Sequence, residues 1–203
     1  MLDIQSGRIT LDGVDITRIP HNILRQKCFI TISQDTLLLP NETLRFNLDP
    51  DGLLGHDGAQ DIVNCLKRAG LWSHFSPAHT TANNDKPKTP PYAPLNQPLT
   101  SFPPLSSGQA QLLALCRGVL KASALRRDGG RRPVVLLDEV TAALDKETEA
   151  VVWGMVEREF VGRGHTVVGV SHRVVGGEGG GGGGDGGGGR VVCMRDGRVE
   201  GGD

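Results

Sequence analysis

The sequence predicts an α/β fold built on a mostly parallel sheet that is flanked by helices. Residues 134–137 form a run of branched apolar residues, which is too short for an independent helix and suits a strand buried on both faces of a parallel sheet. Residues 28–33 and 165–172 predict two further strands, the second of them buried. Between them, residues 111–121 carry an apolar stripe at helical spacing, formed by Leu112, Leu115, Cys116 and Val119.

Turn residues place the first elements of the chain. Residues 8–11 and 14–16 flank the pair Asp12-Gly13, which predicts a β-hairpin. A short helix over residues 20–26 then leads into the first strand of the parallel sheet. The amino-terminal part is therefore expected to combine a small antiparallel sheet with the start of the larger parallel one.

Further helices and a second hairpin follow along the chain. Residues 61–70 have helical spacing, with basic residues and a glycine at their end. Residues 191–200 predict a hairpin around the pair Asp196-Gly197. Residues 146–160 predict an amphipathic helix that packs on the sheet, with its inward face formed by Val151, Val152, Met155 and Val156.

Two stretches lack the periodicity of regular structure. Residues 76–104 are rich in proline, threonine and asparagine, which predicts a disordered insertion. Residues 176–189 are glycine except for Glu178 and Asp185, so they offer almost no side chains whose burial could offset the entropy of ordering them. We expect both insertions to be mobile.

Composition limits the classes of function. A chain of 203 residues with a net charge of −1 is long enough for one domain and offers no electrostatic case for nucleic acid binding. No apolar run approaches the length of a membrane span. The cysteines lack C-x-x-C spacing, which argues against zinc and against a disulfide framework and predicts mostly buried thiols at Cys28, Cys65, Cys116 and Cys193.

A capping box predicts where the helix of residues 111–121 starts. Ser106 is followed three residues later by Gln109, the pattern in which each residue satisfies the backbone of the other. The free N–H groups and positive dipole end of such a helix favour an anion, and Gly108 would let a phosphate approach the backbone. An ordinary capped amphipathic helix is the alternative interpretation.

Two carboxylates follow the predicted strand of residues 134–137. Ligands of open α/β sheets bind beyond the carboxyl ends of the strands, where Asp138 and Glu139 are placed. Adjacent strand residues point in opposite directions, so Asp138 could bind Mg²⁺ and Glu139 could polarise an attacking water. A strand that ends in a solvated acidic turn is the alternative.

The order of these motifs resembles that of ATP-binding cassette (ABC) proteins. Residues 105–109, Leu-Ser-Ser-Gly-Gln, resemble the signature motif, and residues 134–139 resemble the Walker B strand. Gln34 resembles the glutamine of the Q-loop, residues 141–145 resemble the D-loop, and His172 resembles the switch histidine. Five elements occur in family order, although each residue type alone is common at strand ends and helix starts.

The resemblance implies a P-loop NTPase-like ABC cassette that uses ATP and Mg²⁺, with a helical subdomain at residues 36–104. It also implies a second cassette in a head-to-tail dimer and the transmembrane domains of an exporter as partners, at the cytoplasmic face of a membrane. The implied catalytic residues are Glu139 and His172, the implied metal ligands are Asp138 and Gln34, and the implied nucleotide contacts are Gln34, Ser106, Ser107, Gly108, Gln109 and Asp145.

Residues 37–50 narrow the resemblance to the C subfamily, the multidrug-resistance-associated group. Their most specific part is the tetrapeptide of residues 47–50, Asn-Leu-Asp-Pro. The first cassette of that subfamily usually lacks the catalytic glutamate, so Glu139 points to the second cassette. The resemblance covers residues 1–71 and 105–173, with a short match at residues 191–200.

The main departure is the absence of a G-x-x-x-x-G-K-[ST] sequence, the loop that cradles the phosphates. In the family this loop lies upstream of the segment matched by residues 1–9. We therefore expect an incomplete cassette whose Met1 is an internal methionine, with weak ATP binding, no turnover and poor solubility as an isolated chain. The glycine tract replaces the helix after the switch histidine and is expected to loosen the position of His172.

Three other interpretations stay open at this point. The chain could be a non-catalytic module that donates its signature motif to a complete cassette. It could be a chromosome-maintenance or repair ATPase of the same superfamily, although those proteins carry long coiled coils and no sustained heptads occur here. It could also be a truncated gene product without a function of its own.

Overall fold

The computed structural model describes residues 6–76 and 92–171, together with the backbone of the strands Cys193–Arg195 and Arg198–Glu200. The chain divides into two compact units, Met1–Arg173 and Val174–Asp203. The first unit contains the parallel sheet and its helices. Within the described residues, no helix has the length and apolar character needed to cross a bilayer.

A two-residue hairpin opens the first unit, as predicted. Strands β1 (Thr10–Leu11) and β2 (Val14–Asp15) pair antiparallel. The turn residues Asp12 and Gly13 both have positive φ, at 49° and 81°, which is the geometry of the type I′ turn that joins such short hairpins.

Three parallel strands form the central sheet. They are β3 (Phe29–Ser33), β4 (Val134–Asp138) and β5 (Val167–Val170), in the order β3-β4-β5. The short helix α1 (His21–Ile23) and a π-helical turn (Leu24–Cys28) precede β3. All three predicted strands and their parallel arrangement are confirmed. The prediction that the last of them is buried is wrong, because Val168 and Val170 are exposed.

Five helices follow α1 among the described residues of the first unit. The longest, which begins at the predicted capping box, continues six residues beyond the predicted end because Ala122, Ala124 and Leu125 are also buried. The bounds are α2 (Leu44–Leu48), α3 (Ala59–Arg68), α4 (Trp72–Phe75), α5 (Ser107–Arg127) and α6 (Lys146–Glu159). Single 3₁₀ turns cover Ile16–Arg18, His56–Gly58, Ala93–Asn96, Leu99–Ser101 and Val161–Arg163.

Helix α5 packs directly on one face of the sheet. All four residues of its predicted apolar stripe are buried. A Cβ at position 118 would lie 2.9 Å from Ile32 Cδ1 and 3.2 Å from Ile30 Cγ2, so Gly118 allows an approach of the helix to β3 that a larger residue would permit only if these side chains shifted. The position of α5 is therefore fixed by close packing.

Helix α6 buries three of the four residues that were predicted to form its inward face. Val152, Met155 and Val156 are buried, as predicted. The prediction for Val151 is wrong, because its side chain is 44% exposed. Val151 precedes Val152 by one position, which is about 100° around a helix of 3.6 residues per turn, and this rotation carries it to the outer face.

A buried carboxylate ties α6 to α3. Glu159 is 3% exposed, and its Oε1 lies 2.9 Å from Arg68 Nε. Its Oε2 lies 2.7 Å from Arg163 Nη2. Two guanidinium groups thus compensate the buried charge, a condition that a carboxylate in a protein interior requires.

Two of the predicted buried thiols face one another where α3 meets α5. Cys65 and Cys116 are both fully buried, and each sulfur lies within 4.0 Å of the other residue's carbonyl oxygen. The neighbouring Cys65 thiol and burial raise the pKa of Cys116. Cys28 is half-buried, and the side chain of Cys193 lies outside the described residues.

The tetrapeptide Asn47-Leu48-Asp49-Pro50 organises the turn around α2. The buried Asn47 side chain accepts a hydrogen bond from Leu39 N at 2.8 Å and donates to three backbone carbonyls, at distances of 2.9 to 3.3 Å. The Asp49 carboxylate accepts from Leu53 N and Leu54 N, each at 2.9 Å. Backbone hydrogen bonding thus explains the asparagine and the aspartate of this motif.

The predicted disorder of residues 76–104 is wrong for residues 92–104. Leu95 is buried, and Tyr92 Oη donates to Gln60 Oε1 at 2.6 Å. Phe102 packs edge-to-face on Phe75, with ring centroids 5.1 Å apart. These few apolar side chains anchor the segment without any helical or strand periodicity. Residues 77–91 lie outside the described residues.

The other face of the sheet is open within the described part of the first unit. Thr31, Leu136 and Val168 lie in one row across the three strands. Val168 and Val170 are 47% and 59% exposed. Parallel sheets are normally covered on both faces, so the expectation of helices flanking the whole sheet is met on one side only.

The described residues of the second unit form one pair of strands. Strands β6 (Cys193–Arg195) and β7 (Arg198–Glu200) pair antiparallel, with Cys193 opposite Glu200, which confirms the predicted hairpin strands. The Asp196-Gly197 turn and the glycine tract lie outside the described residues.

We expect the double variant Val168→Thr/Val170→Thr to aggregate less than the wild type. Threonine keeps the β-branched shape that suits a strand and removes apolar surface from the open face. Light scattering of matched solutions over time measures the effect. Val151→Thr is the control, because it changes a comparably exposed valine on α6; equal improvement in both proteins would contradict a specific role of the open face.

Candidate functional site

The carboxyl ends of the three parallel strands form the candidate site. In the register of the sheet, Ser33 is opposite Asp138, and Asp138 is opposite Val170. Gln34 directly follows Ser33, and Glu139 directly follows Asp138. The sheet therefore brings Gln34, Asp138 and Glu139 to one edge, the place where open α/β sheets bind ligands.

Glu139 adopts a backbone conformation that few residues other than glycine take. Its φ is 51°, in the left-handed region, and its N–H donates to Val170 O at 3.0 Å. The strand ends at Asp138, so the prediction that the two acids alternate along one strand is wrong. A left-handed residue costs roughly 1–2 kcal/mol, and strain of this kind is concentrated at functional sites.

Oxygen ligands for a hard cation are present at this edge. Asp138 and Gln34 are both exposed, and one offers a carboxylate and the other an amide oxygen. Mg²⁺ is typically held by one or two protein oxygens, water and substrate phosphates, which this pair fits. Among the described residues, no cluster of three or more histidine, cysteine or acidic side chains could hold a metal ion by itself.

The histidine predicted to complete this edge, His172, lies outside the described residues. The described chain reaches Ser171, immediately after β5. Because the carboxyl end of β5 is in register with Asp138, the chain leaves the sheet at the same edge. The position of the His172 side chain stays a prediction.

The predicted capping box is confirmed at the start of α5. Ser106 Oγ accepts a hydrogen bond from Gln109 N at 3.2 Å, and Gln109 Oε1 accepts from Ser106 N at 3.0 Å. Ser106 and Ser107 are exposed, and Gly108 is buried. Two hydroxyl groups are thus presented at the amino-terminal end of a long helix, where the dipole is positive.

Gly108 has a packing role that the sequence did not reveal. A Cβ at this position would lie 2.9 Å from Thr148 Cγ2 and 3.3 Å from Thr148 Oγ1. The space expected for a phosphate is, on this side of the helix, occupied by Thr148 in the first turn of α6. Glycine is therefore required here for the close approach of two helices.

Asp145 caps α6 through the same threonine. Its carboxylate accepts hydrogen bonds from Thr148 N and Thr148 Oγ1, both at 2.9 Å. These bonds lower the pKa of Asp145. Thr148 consequently joins the predicted signature motif, through Gly108, to the predicted D-loop, through Asp145.

The predicted site residues thus fall into two groups. Gln34, Asp138 and Glu139 share the sheet edge, whereas residues 106–109 share the junction of α5 and α6 with Asp145. Sequence reasoning missed Thr148 and also Gln111, which is buried and donates from Nε2 to Ser33 O at 3.2 Å. The available signal for Gln111 was its position four residues before Leu115, on the buried face of the helix.

The chain is homologous to ABC transporters. No protein-family model matches it. It is 32% identical over 174 residues to an ABC-type transporter of Gibberella zeae, a match that covers 86% of this chain and 10% of that protein. It is 30% identical over 201 residues to the ATP-dependent lipid A-core flippase of Methylobacillus flagellatus, covering 98% of this chain and 29% of the flippase.

A solved structure supports the same family. The chain resembles a bacterial Atm1-family ABC exporter with ATP bound, with a TM-score of 0.56 and 25% sequence identity. The match covers 84% of this chain and 25% of the exporter chain. The protein described here therefore spans between a tenth and a third of the length of these relatives, as the coverages of 10% and 29% show.

We expect Gly108→Ala to destabilise the fold by about 1–3 kcal/mol, the usual effect of overpacking a tight contact. Thr148 cannot rotate away easily, because its Oγ1 is bound to Asp145. Denaturant unfolding measures the change. Thr148→Ser removes only Cγ2 and keeps the hydroxyl, so the double variant Gly108→Ala/Thr148→Ser should recover most of the lost unfolding free energy. If the effects of the two substitutions on the unfolding free energy simply add, the contact between these residues is contradicted.

Proposed function

We propose that this chain is part of the ATP-binding cassette of an ABC exporter, in which ATP hydrolysis drives the movement of a solute across a membrane. The observation that supports this most directly is the register that places Gln34 beside Asp138 and Glu139 at the ligand-binding edge of the sheet. The homologues named above are exporters and related transporters. They favour this function over chromosome maintenance or repair.

In this proposal each residue at the sheet edge has its own role. Asp138 and Gln34 hold Mg²⁺, which would neutralise charge on the phosphates when bound. Glu139 polarises the attacking water, and its strained backbone keeps the carboxylate at the turn where β4 ends. His172 contacts the terminal phosphate. Asp138 and Glu139 can differ in role because the chain turns sharply between them.

The second group of residues serves a different ATP molecule in this proposal. Ser106 and Ser107 are exposed at the positive end of α5, so they are open to a phosphate brought by another protein. We infer a head-to-tail dimer in which residues 106–109 complete the ATP site of the opposite cassette. In this proposed dimer Asp145 also faces the opposite cassette; within the chain it contacts Thr148, which packs against Gly108.

The partners and subfamily follow from the same proposal. ATP hydrolysis would be coupled to conformational change in the transmembrane domains of an exporter, with the cassette at the cytoplasmic face of a membrane. Residues 47–50 and the presence of Glu139 support the second cassette of a C-subfamily exporter. In this structure the tetrapeptide acts locally, by bonding the turns around α2.

We expect the isolated chain to bind MgATP weakly and to show no steady hydrolysis, because no phosphate-cradling loop is present in its sequence. Nuclear magnetic resonance titration with MgATP should shift the signals of Gln34 and Asp138. Asp138→Asn should abolish the magnesium dependence of those shifts. The control is Asp57→Asn, the same change at an exposed aspartate outside the strand ends, and it should leave the magnesium dependence unchanged. Tight binding together with steady turnover would contradict the expectation that the isolated chain is incomplete, whereas an unchanged magnesium dependence in Asp138→Asn would contradict the proposed magnesium site.

A second candidate function rests on the exposed end of α5. The chain could be a non-catalytic partner that donates residues 106–109 to a complete cassette. Mixing it with the complete cassette of the Methylobacillus flagellatus flippase should then stimulate ATP hydrolysis by that cassette. Ser106→Asn keeps a helix cap but loses the hydroxyl and should lose stimulation, whereas Ser106→Thr should keep both. Equal stimulation by the two variants would rule this donor role out.

A further inference from the structure

Gln34 lies in a loop, residues 33–37, and helix α5 binds both ends of that loop. Gln111 Nε2 donates to Ser33 O at 3.2 Å, immediately before Gln34. Arg117 Nη2 donates to Leu37 O at 2.8 Å, three residues beyond it. The sequence separations are 78 and 80 residues, so neither contact follows from local structure.

The two donors differ in charge, but both bind a backbone carbonyl oxygen. Gln111 is buried and uses a neutral amide, whereas Arg117 is half-buried and uses a charged guanidinium. Arg117 Nε also donates to Asn47 O at 2.6 Å, so the same side chain joins the loop to α2. Hydrogen bonds from a cation to a carbonyl are stronger than those between neutral groups.

Burial supports a fixed geometry for this arrangement. Burial lowers the pKa of the Arg117 guanidinium, which stays charged because its ordinary pKa lies far above neutrality. The helix itself is held against β3 by the close contact of Gly118 with Ile32. The backbone positions of residues 111 and 117 are about 9 Å apart along the helix axis, at 1.5 Å per residue.

We propose that Gln111 and Arg117 are positioning residues, which fasten residues 33–37, and with them Gln34, to the helix that begins at the signature-like motif. The functional part of this inference rests on the proposed role of Gln34 toward MgATP. Because the same helix presents Ser106 and Ser107 at its amino-terminal end, one rigid element then sets the positions of both groups of site residues. A displacement of α5 would move Gln34 relative to Asp138.

The direct test is the backbone mobility of residues 34–37 in the full chain without nucleotide, measured by ¹⁵N relaxation. We expect order parameters near about 0.85 in the wild type and below about 0.6 in Gln111→Met and Arg117→Met. Lys121→Met is the matched control, because Lys121 lies one turn beyond Arg117 and donates to Arg25 O at 3.2 Å, outside this loop. It should leave the loop rigid.

Two further variants separate hydrogen bonding from packing. Gln111→Glu keeps the size of the side chain but turns an acceptor toward the Ser33 carbonyl, so it should mobilise the loop as Gln111→Met does. Arg117→Lys keeps one donor and should give intermediate mobility. These variants also serve if either methionine variant fails to fold. Rigid residues 34–37 in Gln111→Glu and Arg117→Met would overturn the inference.

Titration with MgATP then tests whether fixing the loop matters for the proposed role of Gln34. In the wild type, the side-chain amide signals of Gln34 should shift on titration, and the midpoint should rise several-fold in Gln111→Met but not in Lys121→Met. Unchanged midpoints in a mobilised loop would overturn the positioning role. A wild-type chain that does not respond to MgATP would count against the proposed function, while the nucleotide-free mobility data would still decide whether Gln111 and Arg117 fix the loop.

Discussion

The close contact between α5 and β3 is the constraint on which the rest of the structure depends. Gly118 allows the helix to approach Ile30 and Ile32 so closely that a larger residue would force these side chains to shift. This approach brings Gln111 within reach of the Ser33 carbonyl at the edge of the sheet. Because interiors are packed at near-crystal density, a shift of the helix at one end must be accommodated at the other.

Thr148 extends this constraint to the second group of site residues. Its methyl group fills the space left by Gly108, and its hydroxyl and backbone N–H bind Asp145. The start of α6 is therefore placed by the start of α5. The two predicted nucleotide-contacting segments, residues 106–109 and 141–145, are distant in sequence but share this single side chain.

The sequence predicted those features that depend on local chemistry. Strand patterns predicted the parallel sheet, and the spacing of Ser106 and Gln109 predicted the capping box, since both depend on residues close in the chain. Contacts between distant segments were not predictable in this way. Leu95 and Phe102 order a proline-rich segment by tertiary packing, and Gln111 and Thr148 act on partners that no periodicity identifies.

The left-handed conformation of Glu139 has a consequence for what position 139 can hold. A carboxylate stands where the backbone would be relaxed by glycine, at a cost of roughly 1–2 kcal/mol. Asp12 has nearly the same φ, 49°, in a hairpin turn, so this conformation alone does not mark a reactive residue. At position 139, backbone strain and the proposed role toward water favour different residues.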